Sequence, residues 1–452
     1  MTGLHAKQAL LPEGWAQDVR ISPAGGRIAT VEVGATAMPG DERHAILMPA
    51  MSNLHSHAFQ RAMAGLAEMR GPGDDSFWSW REVMYRFALK MTPDEVEAVA
   101  TQLYVEMLEA GFCRVGEFHY LHHAPDGRPY DDPAEMAGRI AAASGTTGIG
   151  LTLLPVFYAH SGFGGQAPSD GQRRFICDLE LFTRLLEGAR KSAGGLEGAV
   201  VGVAPHSLRA VTPEELAAIV PMANGGPVHI HAAEQMREVE DCVTWSGRRP
   251  IEWLFDTGAP DDRWCVIHAT HMTEPETQAL ARTGAVAGLC PVTEANLGDG
   301  IFPGRAFLDA GGAFGIGSDS NVLIGIPDEL RQLEYSQRLH HRARNVLAPA
   351  GGSNGRALYD HALRGGAQAL GAGPVGITTG AAADLLSLSP DHPTLAGKSG
   401  DAMLDAWIFA GGAAIDCVWV RGAKQVDGGR HRLRDATASR YRDVMAALAG
   451  RE

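Results

Sequence analysis

The chain has 452 residues, 45% of them hydrophobic and 20% charged, with a formal net charge of -14. That length exceeds one simple core and suits a barrel-sized domain plus a smaller one. The negative balance argues against nucleic acid or an anionic membrane surface as principal partner, and an anionic small molecule would need dedicated local cations. Those cations are nearly all arginine, since lysine is confined to Lys7, Lys90, Lys191, Lys398 and Lys424. Arginine grips carboxylates through paired hydrogen bonds better than lysine does. The six cysteines form no Cys-x-x-Cys pair, residues 1–15 lack a signal-peptide pattern, and no segment is long and apolar enough to span a bilayer. A reducing, cytoplasmic setting is therefore expected.

In chain order, residues 1–45 read as short strands such as 28–33, separated by turn residues. Eight apolar runs follow at 45–51, 112–117, 148–157, 199–204, 228–231, 264–268, 285–290 and 313–317. Helical patterns lie between them. Thr92-Pro93-Asp94-Glu95 and Thr212-Pro213-Glu214-Glu215 each combine an N-cap, a first-turn proline and first-turn acids. Other helices are expected from Asp132-Pro133, from Thr273-Glu274, and over residues 327–344. Residues 375–452 return to strand-like segments at 385–388 and 417–421, then a helical stretch at 436–448. Eight strand-then-helix units indicate parallel strands with helical crossovers, and eight is the number that closes a barrel. The expected fold is α/β: a (β/α)8 TIM-like barrel over residues 46–374, with a small β-sandwich domain built from residues 1–45 and 375–452.

Polar residues gather at the C-terminal ends of these strands, where barrel active sites are built. His55 and His57 follow the first run. Side chains two apart on a strand share a face, so both imidazoles leave together. The fifth run ends in His229-Ile230-His231 followed by Glu234, the sixth in His268, the eighth in Asp319. One strand-end histidine is ordinarily a hydrogen-bonded core residue, and one aspartate before Ser-Asn a turn former. Four strand ends in register outweigh that reading. His55, His57, His231 and Asp319 are the expected ligand set for one zinc ion, with iron or manganese as alternatives. His229 has the parity of His231 and is the substitute ligand.

The stretches Pro49-Ala50-Met51-Ser52-Asn53-Leu54-His55-Ser56-His57, His231-Ala232-Ala233-Glu234, Cys290-Pro291 with Glu294-Ala295-Asn296-Leu297-Gly298-Asp299-Gly300, and Gly317-Ser318-Asp319-Ser320-Asn321 resemble the amidohydrolase superfamily. Members with two metals carry a lysine at the end of strand four. Here Ala204-Pro205-His206-Ser207-Leu208-Arg209 has none, which implies a one-metal, deaminase-branch site. Glu117 could serve a second metal or orient neighbours. Catalytic roles are expected for Glu234, passing a proton from water to a departing amine, for His268, polarising the attacked group or holding the nucleophile, and for Asp319.

Leu54-His55-Ser56-His57-Ala58-Phe59-Gln60-Arg61-Ala62-Met63-Ala64-Gly65, Phe77-Trp78-Ser79-Trp80-Arg81, Gly116-Glu117-Phe118-His119-Tyr120-Leu121-His122-His123 and the strand-four stretch are similar to the formimidoylglutamate deiminase family of histidine degradation. The resemblance implies hydrolysis of N-formimidoyl-L-glutamate to N-formyl-L-glutamate and ammonia, and a homodimer. It also implies substrate contacts at Gln60, Arg81, Tyr120, His206 and Arg209. Two arginines fit a small dicarboxylate. The rivals are a deaminase of the same branch acting on a purine, S-adenosylhomocysteine or a triazine, which would call for an aromatic-lined pocket, and a non-catalytic scaffold.

Overall fold

Parallel strands form two arcs in the computed structural model, which describes residues 3–71, 73, 75–411 and 414–451. The first arc runs Met51–Ser56, Phe112–His119, Gly150–Phe157, Val200–Val201, with Ala204–Pro205 also paired to Gly150–Phe157. The second runs Val228–Ala232, Trp264–His268, Val286–Leu289, Ala313–Ile316. Single parallel bridges link the arcs at both ends: Ser56 to Asp319 on one side, and Val203 to Val228 with Ser207 to His231 on the other. Most of these strands are buried along their whole length, as expected of parallel strands covered on both faces.

The fourth strand breaks at Gly202. A Cβ there would lie 2.4 Å from the Pro227 carbonyl oxygen, so only glycine lets this segment approach the next one. Helices fill the crossovers. Pro93–Glu109 starts at a capping box in which the Thr92 hydroxyl accepts from the Glu95 amide and the Glu95 carboxylate accepts from the Thr92 amide. Thr212 with Glu215 and Thr273 with Glu276 repeat this device at Pro213–Ile219 and Glu274–Thr283.

The terminal segments correct two expectations. The apolar run 45–51 is not one strand. Glu42–Pro49 lies in the terminal sheet, and the first strand of the parallel arcs is Met51–Ser56. Both strands are buried on either side of Ala50, so hydrophobicity continues across the break. The terminal strands do not make two hydrogen-bonded sheets. They form one eight-stranded mixed sheet, because Leu385–Leu388 pairs with Glu42–Pro49 on one edge and Ile415–Val420 on the other. Asp401–Phe409 adds an unforeseen helix, and the last helix is Arg434–Ala449. Among the described residues no helix is long and apolar enough to cross a membrane.

Candidate active site

The predicted ligands converge. His231 Nε2 lies 3.1 Å from His55 Nε2, and Asp319 Oδ1 lies 3.2 Å from His57 Nε2 and 3.5 Å from His55 Nε2. His57 Nδ1 is 2.9 Å from the Phe118 carbonyl and His231 Nδ1 is 3.0 Å from the His206 carbonyl. A carbonyl only accepts, so each Nδ1 carries the proton and each Nε2 turns a lone pair to the centre. The His55 and His231 Nε2 atoms face each other at a range that a cation between them would bridge. Burial pushes His55 down to about 3 and His231 well below its ordinary value, which keeps both imidazoles neutral, the ligating form. Three nitrogens and one carboxylate oxygen thus suit a divalent ion. His229 does not take part: its Nε2 donates to the Ala369 carbonyl at 2.7 Å, deeper in the fold.

A buried polar clasp holds Asp319 to the first strand. Asn53 Nδ2 donates to Ser318 Oγ at 2.6 Å, and its Oδ1 accepts from the Ser318 amide at 3.0 Å. Asn321 Nδ2 reaches the His57 and Asp319 carbonyls at 3.0 and 2.9 Å. Gly317 packs so closely that a Cβ would sit 2.8 Å from the His55 backbone. Around this mouth the non-glycine residues Ala233, His268, Ala269, Asp319 and Asn321 all have positive φ. Each such conformation costs of order 1–2 kcal/mol, and at Asp319 and Asn321 the clasp holds it.

His268 stands between carboxylates. Its Nε2 is 3.8 Å from Glu234 Oε1 and 3.9 Å from Asp319 Oδ2, and its Nδ1 is 3.2 Å from Glu294 Oε1. Burial disfavours its charge, but Glu234, Glu294 and Asp319 outweigh that and carry it up to about 10. Burial raises Glu234 to about 7 against the pull of His268. The Glu234 turn is braced by Glu238, whose two carboxylate oxygens accept from the Ala233 and Glu234 amides at 3.1 Å. Glu117 is committed elsewhere: it accepts from the Ala58 amide at 2.6 Å and the Tyr104 hydroxyl at 3.1 Å, which ties down the loop after His57.

A cavity opens above this floor. Every expected site residue lines it except His55, which lies behind the wall. Gln60 Nε2 donates to Tyr120 Oη at 2.8 Å, leaving the buried Gln60 Oε1 without a partner. Arg209 Nε is likewise buried and unpartnered. Arg81, on the helix Phe77–Ala88, stacks 4.5 Å from the Trp78 ring. Among the described residues neither Arg81 nor Arg209 has a carboxylate within ion-pairing range. The walls also include Phe77, Trp80, Tyr85, Tyr158 and Phe175. The expectation of a pocket with arginines in place of aromatics is therefore corrected: it has both.

Residues 46–424 match the family model of the amidohydrolase family, and residues 1–45 that of the formimidoylglutamate deiminase HutF, N-terminal domain. The chain is 51% identical to the formimidoylglutamate deiminase of Pseudomonas aeruginosa, over 99% of this chain and 100% of that one. The chain belongs to the formimidoylglutamate deiminase family. It is accordingly an amidohydrolase, a hydrolase acting on carbon–nitrogen bonds. The crystal structure of an amidohydrolase from Brucella melitensis is 62% identical and superposes with a TM-score of 0.97, covering 99% of this chain and 100% of that one. An adenosine deaminase from Xanthomonas campestris with bound zinc shares the fold at 21% identity and a TM-score of 0.83, over 99% and 98% of the two chains.

Proposed function

We propose that this chain hydrolyses N-formimidoyl-L-glutamate to N-formyl-L-glutamate and ammonia, with one zinc ion held by His55, His57, His231 and Asp319. One observation carries the reading: among the described residues no carboxylate lies within ion-pairing range of Arg81 or Arg209, which line a cavity above a nitrogen-and-oxygen floor suited to a divalent ion. A buried guanidinium nitrogen without an acceptor, as at Arg209 Nε, is costly, and a carboxylate relieves that cost. When bound, the ion supplies Lewis acidity and lowers the pKa of water from about 15.7 to about 7.

The remaining chemistry belongs to the side chains. Arg81 and Arg209 hold the glutamate carboxylates, while Gln60 Oε1, Tyr120 and His206 orient the formimidoyl end. Water adds to the formimidoyl carbon. Glu234 accepts the water's first proton and delivers it to the terminal nitrogen. Asp319 accepts the second from the added hydroxyl, and as the carbon–nitrogen bond breaks that proton passes to the nitrogen, which leaves as ammonia while the carbon keeps the oxygen as the formyl carbonyl. A carboxyl raised to about 7 exchanges protons readily at neutral pH. His268, carrying positive charge beside Glu234 and Asp319, stabilises negative charge as the tetrahedral centre forms.

The aromatic walls support a second reading, a deaminase acting on a planar base such as guanine. Ammonia release separates the two. Rapid release from formimidoylglutamate and none from guanine is expected, and the reverse result overturns the proposal.

The bridges between the two strand arcs support one closed eight-stranded barrel that starts at Met51, with Glu42–Pro49 joining the other terminal strands in a small terminal domain. A homodimer acting in the cytoplasm completes the proposal, and light scattering of the purified protein tests the assembly.

A further inference from the structure

A second cavity adjoins the first, and Arg81 and Arg209 line both. Its own walls include Trp78, Gln166, Arg237 and Trp245. Three guanidinium groups gather on one indole here. Arg81 Cζ lies 4.5 Å from the Trp78 centroid, Arg237 Cζ 4.7 Å and Arg209 Cζ 5.9 Å. Like charges brought this close repel, and the indole face offsets part of that repulsion. The one carboxylate ion contact among the three, within the described residues, is Asp241 Oδ2 at 3.8 Å from Arg237 Nε, between side chains that are 64% and 56% exposed. Such a solvated pair holds Arg237 weakly. The far wall is stiffer: Trp245 stacks on Phe163 with ring centroids 5.6 Å apart. In a protein of net charge -14, this is a local positive focus that shares Arg81 and Arg209 with the inner cavity.

We infer that this vestibule is an outer carboxylate site, with Arg237 the residue that takes a dicarboxylate before Arg81 and Arg209 receive it. The inference rests on the dicarboxylate reading of the inner cavity. Arg237 is the second residue of the helix Met236–Ser246, three residues after Glu234. The same segment thus presents the acid–base residue inward and the capturing cation outward.

The test compares wild type with Arg237→Gln and Arg237→Lys in two measurements. The first is steady-state turnover of formimidoylglutamate at low and high sodium chloride. The second is calorimetric binding of glutarate, a dianion without the reacting carbon. At low salt R237Q should lower kcat/KM and weaken glutarate binding about fivefold to tenfold, the scale of electrostatic capture. The loss should fall in KM, while R237K recovers most of it. At about 0.5 M salt, where screening acts within a few ångströms, the wild-type and R237Q values should converge. A loss independent of salt, or one confined to kcat, overturns the inference, as does unchanged glutarate affinity in R237Q. If wild type releases no ammonia from formimidoylglutamate yet binds glutarate through Arg237, the vestibule stands and the proposed reaction falls. If wild type turns over and R237Q matches it at every salt concentration, the reaction stands and the vestibule falls.

Discussion

The floor and the rim of the cavity follow opposite rules. At the floor, His57, His231 and Asp319 are tied to backbone carbonyls, amides and each other, and Asn53, Ser318 and Asn321 complete a buried network around them. His55 Nδ1 is the exception, buried without a partner. At the rim, Arg209 Nε and Gln60 Oε1 are left open, and Arg81 rides on a helix whose buried residues are Met84 and Ala88. A satisfied buried network fixes one geometry, which an ion of defined coordination requires. Open donors and acceptors on a lightly packed helix instead wait for a ligand to complete them. The difference separates residues whose loss should remove the ion from residues whose loss should weaken substrate.

The largest effect tests the floor. Asp319→Ala or His231→Ala should strip the ion and take turnover below detection, as chelation should in wild type, with zinc restoring activity to wild type alone. Elemental analysis beside an ammonia assay reads both halves. Next comes the step between floor and rim. Glu234→Gln should retain the ion while kcat falls about 10²–10⁴-fold, the usual range for a lost general acid–base. Glu234 must be ionised to accept a proton, so wild-type kcat/KM should decline as pH falls through about 7. A profile without that acidic limb would remove Glu234 from the mechanism.

A smaller effect is expected at the rim. Arg209→Met should cost about 2–5 kcal/mol in kcat/KM, as losing one side of a buried charge pair does, with the ion retained. Ion loss in R209M would erase the contrast between the regions. The smallest effect sharpens it. Asn321→Ala leaves the Ser318 hydroxyl and the His57 and Asp319 carbonyls short of partners, a cost of about 1–3 kcal/mol in stability by chemical denaturation. It should also weaken ion affinity by about 10–100-fold, the usual scale for an outer hydrogen-bonding residue.

The floor was legible in the sequence because its residues obey strand parity and sit where apolar runs stop. His55, His57, His231, His268 and Asp319 each mark such an end. The preference for His231 over His229 also rested on the sequence, since both share a face and His231 lies nearer the strand's end; the structure turns His229 to the Ala369 carbonyl. The aromatic walls were missed for a related reason. Trp80 and Tyr85 come from a helix, Tyr158 follows a strand and Phe175 lies in a loop, so no local period joins them. Capping boxes located helix starts well, as at Thr92 and Thr212, because their chemistry is complete within four residues. The strand break at Ala50 left no such mark, since burial continues through it.

The clasp between Asn53 and Ser318 joins positions 265 residues apart. During synthesis the two leading imidazoles leave the ribosome long before the carboxylate that completes their coordination. Closing so long a loop carries an entropic cost, and contacts of this span slow folding. Capture of the ion in a complete site therefore belongs to the end of biogenesis, and a nascent chain stalled before residue 319 has the histidines but not the centre.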